Sequence, residues 1–243
     1  LYLVMGIFVL SIIYPFWYLL VDSVTTPTMS IQDRVKIWPR AFTFDNYSEA
    51  IKPIVGTAYL NSIVKTVVGT SVILFVSFTA AFGLADRTLP GLKTITFFIV
   101  FTMFFSGGLI PTFLWYKQLD LLNTRLAWIL HLAVNAYYIL IMRNFLREVP
   151  AELTESATLD GAGLFRTLWS ILVPLSAPVI ATVALWAAVQ HWNDWFFPLI
   201  FTPDRDLTVL QVLLRRVLIE NQVTGELDIL PGDEMVMMTA EPL

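Results

Sequence analysis

The chain has 243 residues, of which 57% are hydrophobic and only 14% charged, with a net charge of −4 and a mean hydropathy of +0.71. Soluble domains carry about a quarter charged residues, so apolar surface on this scale needs lipid to cover it, and the chain reads as an integral membrane protein. The acidic balance offers no basic footprint for nucleic acid, and the lack of cysteine removes disulfides, thiolate nucleophiles and Cys metal sites.

A helix needs about 20 apolar residues to cross a bilayer, because backbone groups cannot be left unpaired in hydrocarbon. Charge-free windows at 1–21, 66–85, 94–116, 126–142 and 167–191 place five such spans, the second drawn back to about 59 and the fifth on to about 196, giving 1–21, 59–85, 94–116, 126–142 and 167–196. The first run is too long for a signal-peptide core, and a cytoplasmic lead-in is expected ahead of Leu1. Segment 22–57 follows, punctuated by Pro27, Pro39 and Pro53, and Asp86–Lys93 is a short turn containing Pro90-Gly91. The third span is interrupted by Ser106-Gly107-Gly108 and Pro111, while Pro174 and Pro178 fall in the first turns of the fifth, where a missing N–H costs little. Beyond Thr202 no membrane-length apolar run returns; 207–218 reads as amphipathic, broken by Arg215-Arg216, and Met235, Met237 and Met238 read as helix-entry packing. The expected fold is therefore all-α and polytopic, a single transmembrane domain over 1–243, with outer segments 22–57 and 202–243 and the loop 143–166 on the opposite side. Lys and Arg are divided between the two sides; the short turn and that loop, the better guides, favour the inside, and the orientation rests more on the resemblance described below.

Polar residues within the apolar runs are the candidates for a pathway. Asn135, Tyr137 and Tyr138 in the fourth span face either a cavity or a neighbouring helix. Lys65 either snorkels to the interface or pairs within the bundle. His131 and His191 lie isolated in apolar sequence, without the acidic partners a metal site needs. Trp192-Asn193-Asp194-Trp195-Phe196 closes the fifth span. Aromatic planes suit the C–H face of a sugar and Asn and Asp suit its hydroxyls, but Trp also forms interfacial belts.

The loop 143–166 carries the most specific pattern. Pro150 reads as the first helical position, with Glu152 in the first turn where the helix dipole favours an anion. Helix is expected to about Leu159, broken by Gly161 and Gly163, and a second short helix from Leu164 to Ile171 leads into the fifth span. The order is Glu155-Ser156-Ala157, three residues, Gly161, nine residues, then Ile171-Leu172-Val173-Pro174. This resembles the EAA loop of permease subunits in binding-protein-dependent ABC importers, which reads Glu-Ala-Ala, three residues, Gly, nine residues, Ile-x-Leu-Pro; Ser156 and Val173 are conservative departures. The Trp192–Phe196 run, Asn61-Ser62, Leu121–Thr124 and Arg143-Asn144-Phe145 look like the maltose-type carbohydrate subfamily.

The resemblance implies a type I importer permease fold, and with it a sixth span beyond Leu243. It also implies residence in the bacterial inner membrane, and docking of Glu152, Glu155, Ser156, Ala157, Asp160, Gly161 and Gly163 in a cleft of an ATP-binding subunit dimer. The other implied partners are a second permease, an extracytoplasmic solute-binding protein touching the outer segments, and an oligosaccharide, with Asn135, Tyr138, Trp192, Asn193, Asp194 and Trp195 as candidates for its path. GxxxxGK[ST] is absent, so this chain is expected to hold no cofactor, ATP and Mg being bound by the partner. The rivals are an importer of another small solute, such as an amino acid, a peptide or a polyol phosphate, an ion-coupled secondary transporter and a membrane anchor. An ion-coupled transporter would want mid-span carboxylates, and the windows have none.

Overall fold

The computed structural model describes residues 1–26, 38–39, 42–51 and 53–227. The methionines expected to pack at a helix entry lie outside them. The described residues are helical, apart from one isolated antiparallel bridge between Thr25 and Phe42. They form two compact units, residues 1–56 and 57–243.

The first unit is built on α1 (Tyr2–Ser23), 22 residues long with Pro15 inside it. Its side chains are exposed almost throughout, Val21 being the one buried residue of the helix, which suits an apolar surrounding and not water. The helix end is tied locally: Thr25 Oγ1 donates to Val21 O at 2.6 Å, and Asn46 Nδ2 donates to the carbonyls of Ser23 and Thr25 at 3.0 and 2.9 Å. α2 (Asp45–Ala50) starts where Asp45 N donates to Thr43 Oγ1 at 3.1 Å, and Tyr47 OH lies 2.8 Å from Ser23 Oγ.

α3 (Pro53–Ala85) runs for 33 residues, about 50 Å, longer than a bilayer core is thick. Its buried residues, Ala58, Asn61, Ser62, Lys65, Gly69, Ile73, Ser77, Phe78, Ala81 and Leu84, fall three or four positions apart, with 61/62 and 77/78 as adjacent pairs, and so form one stripe. The stripe is polar in its first half and mostly apolar in its second. α4 (Leu92–Phe104) and α5 (Leu109–Gln118) form the third span, bent by 111° where Gly108 takes φ +83. The interruption expected at Ser106–Gly108 is thus a sharp reversal.

The fourth span differs from the unbroken window 126–142. It consists of α6 (Arg125–His131) and α7 (Ala136–Glu148), bent by 53° at Leu132–Asn135. Asn135 caps α7, its Oδ1 accepting from Tyr138 N at 3.2 Å, and that competing hydrogen bond ends the preceding helix. α7 also continues to Glu148, inside the stretch read from sequence as loop. α8 (Ala151–Leu159) and α9 (Leu164–Leu175) follow. Within α9, Leu168–Leu172 is a π-turn, placed where Pro174 supplies no N–H to the ladder. A 78° bend at buried Ser176 leads into α10 (Ala177–Asn193), so the fifth span is not one straight helix from 167. α11 (Phe196–Phe201), a 3-10 turn (Arg205–Leu207) and α12 (Leu210–Leu227) complete the described chain, and α12 starts and ends later than the expected amphipathic stretch 207–218.

The main core joins Ile73, Phe78 and Ala81 of α3, Tyr138, Met142 and Leu146 of α7, Leu168 and Leu172 of α9, and Val179, Val183 and Ala187 of α10. Small residues bring the helices close: a Cβ at Gly69 would overlap the His191 ring of α10.

Candidate functional sites

The segment carrying the Glu155 motif folds as two short helices around a turn. Pro150 stands at the N-cap of α8, one position before its expected place. The helix ends in a Schellman arrangement: Ala162 N donates to Ala157 O at 2.8 Å and Gly161 N to Thr158 O at 3.0 Å, with Gly161 at φ +79. A side chain at Gly161 would be strained in that conformation, which explains the glycine. Glu152, Glu155, Ser156, Asp160, Gly161 and Gly163 are all exposed, and Gly163 caps α9. Ala157 is buried against its own chain. Its small size therefore serves this fold, and the free face of the knuckle belongs to its neighbours.

Sequence reasoning missed three apolar residues there. Leu159, Leu164 and Phe165 flank the turn at 89%, 68% and 76% exposure. The signal was three large apolar residues beside glycines in a polar loop, a combination that solvent alone does not favour. A groove of about 890 Å3 runs along α8, lined by Glu155, Thr154, Thr158, Arg147 and the turn Asp86–Leu89. Thus the short turn and the motif share one end of the bundle. Arg147 Nη2 donates to Leu84 O at 3.0 Å, tying α7 to the end of α3. In the turn, Thr88 Oγ1 and N both donate to Asp86 Oδ1 at 2.7 Å, holding that carboxyl below the ordinary carboxylate range.

At the other end, the four residues of the Trp192–Trp195 run each go to different partners. Trp192 meets Tyr59 edge to face at 5.9 Å. Asn193 Nδ2 donates to Val189 O of its own helix at 2.9 Å. Asp194 turns inward: Oδ1 accepts from Phe197 N at 3.3 Å and Oδ2 lies 3.3 Å from Lys65 Nζ, which also donates to the Asp194 carbonyl. Of the two readings for Lys65, pairing within the bundle is the one found, at 1% exposure. Trp195 packs beside Trp128, Val209 and Val212, with the Arg215 guanidinium 3.6 Å over its ring.

The same end is held by other hydrogen bonds, from fully buried to exposed. Asn61 Nδ2 donates to the carbonyls of Asp206 and Thr208 at 2.8 and 3.1 Å. Ser62 Oγ donates to Gln211 Oε1 at 3.0 Å and accepts from Leu210 N at 2.9 Å. Trp128 Nε1 donates to Thr202 Oγ1 at 2.8 Å, and Asn123 Oδ1 accepts from Asp204 N at 3.1 Å. The Asn61-Ser62 and Leu121–Thr124 segments singled out in the sequence are therefore clamps on residues 202–211.

Between the ends, Asn135 and Tyr138 come together with three residues, two of which sequence reasoning missed. Tyr138 OH donates to Gln190 Oε1 at 3.1 Å, and Trp186 stacks near Tyr137 and Tyr138 at ring separations of 6.1 and 6.4 Å. These five, with Leu185 and Val189, line a groove of about 590 Å3. The available signal was the i, i+4 spacing of Trp186 and Gln190, with an amide inside an otherwise apolar span.

A long packed α3, broken spans and an exposed knuckle with the Gly turn make a polytopic helical membrane bundle. The family model described as "Binding-protein-dependent transport system inner membrane component" matches residues 54–225, and the chain belongs to that family. It is a permease subunit of the inner membrane. The chain is similar to Protein LplC of Bacillus subtilis, at 42% identity over 88% of this chain and 72% of the relative. It is also similar to the polygalacturonan/rhamnogalacturonan transport system permease protein YtcP of the same organism, at 38% identity over 87% and 74%. Among solved structures, a bacterial ABC transporter involved in import of the acidic polysaccharide alginate matches with a TM-score of 0.86 and 31% identity, covering 93% of this chain and 82% of that one.

Proposed function

We propose that this chain is one of two permease subunits that together form the path for an oligosaccharide, delivered by an extracytoplasmic solute-binding protein and driven by an ATPase dimer gripping the loop 143–166. The observation that carries the coupling is the exposure of α8 and its turn. Glu152, Glu155, Ser156, Asp160, Leu159, Leu164 and Phe165 project from a segment whose inward contact is made by Ala157. An apolar tip flanked by acidic groups on a two-helix knuckle fits a cleft with an apolar floor and basic rim. The saccharide class of the cargo, without the acidic character of theirs, rests on the relatives named for polygalacturonan/rhamnogalacturonan transport and alginate import.

The mechanism is a lever. ATP and Mg bind the partner, whose closure displaces the docked α8. The displacement passes through Gly161 into α9 and across the bend at Ser176 to α10. α10 shares its core with α3 and α7, so a shift of the knuckle biases the bundle between inward-open and outward-open states. This chain performs no covalent chemistry.

Reconstitution of the two permeases with the ATPase and binding protein tests the reading. Cargo should stimulate ATP turnover, and uptake should stop without ATP. Uptake driven by a proton gradient alone would refute it.

A further inference from the structure

The groove between α7 and α10 has a chemistry that its place in a lipid-embedded bundle does not explain. Trp186 is 41% exposed and Tyr137 49% exposed, their planes within 30° of each other, and Tyr138 lies within 27° of Trp186. Trp186 lies near-parallel to both tyrosines, which are tilted 54° from each other, and because Tyr138 is buried the open aromatic faces are those of Trp186 and Tyr137. Two amides flank them. The oxygen of Asn135 is used in capping α7, and the oxygen of Gln190 accepts from Tyr138. The NH2 group of each, two N–H donors apiece, has no acceptor among the described residues. Such donors aimed at hydrocarbon would each cost several kcal/mol, so the groove belongs to a polar cavity or an occupant and not to lipid tails. The break at Leu132–Asn135 adds a second observation: it puts the start of α7 inside a span, the kind of interrupted helix at which transporters form binding sites.

Resting on the permease reading above, we propose that the groove formed by Asn135, Tyr137, Tyr138, Trp186 and Gln190 is a cargo subsite that takes one uncharged pyranose ring. The aromatic planes meet its C–H face, and the two free amide groups donate to its hydroxyl oxygens. The volume of about 590 Å3 falls within the range of small-molecule sites, roughly 300–1,000 Å3. No charged side chain lines the groove. A uronate or phosphate seated there would lose water without gaining a cation, so the subsite selects against fixed negative charge.

The test uses the complete complex in lipid nanodiscs without nucleotide, and saturation-transfer NMR with maltotriose, cellotriose and mannotriose against trigalacturonate. At least one neutral trisaccharide should receive saturation through its ring C–H protons, and trigalacturonate should receive about fivefold less. Trp186→Ala should reduce the neutral signal about fivefold, Trp186→Phe should keep most of it, and Gln190→Met should reduce it about threefold. Unchanged thermal unfolding of Trp186→Phe guards against a merely misfolded variant. No transfer from any neutral sugar, stronger transfer to trigalacturonate, or equal signal in Trp186→Ala overturns the subsite. Because nucleotide is absent, binding through Trp186 in a complex that shows no ATP-driven uptake sinks the coupling reading alone. Intact uptake with no transfer sinks the subsite alone.

Discussion

The two ends of the helical bundle are held in opposite ways. At one, residues 194–211 are clamped from within: Asn61, Ser62, Lys65, Asn123 and Trp128 each spend a side chain on them, and several of these groups are buried. At the other, α8 and its turn rely on backbone bonds and on hydroxyls bonded back to their own helix, such as Thr158 Oγ1 to Thr154 O at 2.8 Å. A segment clamped by its own chain keeps its shape without help. A segment that keeps its side chains exposed leaves part of its ordering to a partner.

The largest expected effect is at the clamped end. Lys65→Met leaves the Asp194 carboxylate facing a dry interior without its cation, and should lower stability by about 3–5 kcal/mol, read as a drop in the thermal midpoint in detergent. Lys65→Met/Asp194→Asn should regain most of it, since the amide oxygen still serves Phe197 N. A small loss in the single variant would mean that the pair is solvated and that the contrast is overstated.

Gly69→Ala comes next. The added methyl meets the His191 ring, and overpacking should cost about 1–3 kcal/mol. Adding His191→Ala should relieve it, and failure to do so would place the strain elsewhere.

Gly161→Val tests the exposed end. A β-branched residue at φ +79 is strained by about 1–2 kcal/mol, confined to the turn. Melting of the bundle should hardly change, while retention of the ATPase and cargo-stimulated turnover should fall sharply. A variant that couples normally would remove the knuckle from the energy path.

The smallest effect concerns the turn beside α8. With its folded pKa lowered by Thr88, Asp86 contributes stability at pH above the ordinary carboxylate value, lost as pH falls through the lower folded value. Thr88→Val should raise the midpoint of the Asp86 carboxyl carbon resonance in an NMR titration while leaving neutral-pH behaviour unchanged. An unmoved midpoint would rule out the hydroxyl as the cause.

Local order was readable where the reason for it is local. The charge-free windows, the glycine turn at Gly161 and the helix start near Pro150 all follow from composition and from backbone preferences carried by single residues. The family pattern spans about twenty residues, Glu155 to Pro174, so it too survives in one dimension. The fourth span misled the reading, because a cap at Asn135 competes with a helix that hydropathy alone continues.

The amino-acid sequence alone determined that this chain lives in a membrane and that it belongs with importer permeases, since each of these is written in neighbouring residues. Only the tertiary structure decided that Asp194 faces Lys65, 129 positions away, that Ala157 packs inward, and that Trp186 and Gln190 join Asn135 and Tyr138 in one groove. Contacts across such separations depend on which faces of α3, α7 and α10 meet. That is set by close packing at residues such as Gly69, and not by any pattern along a single helix.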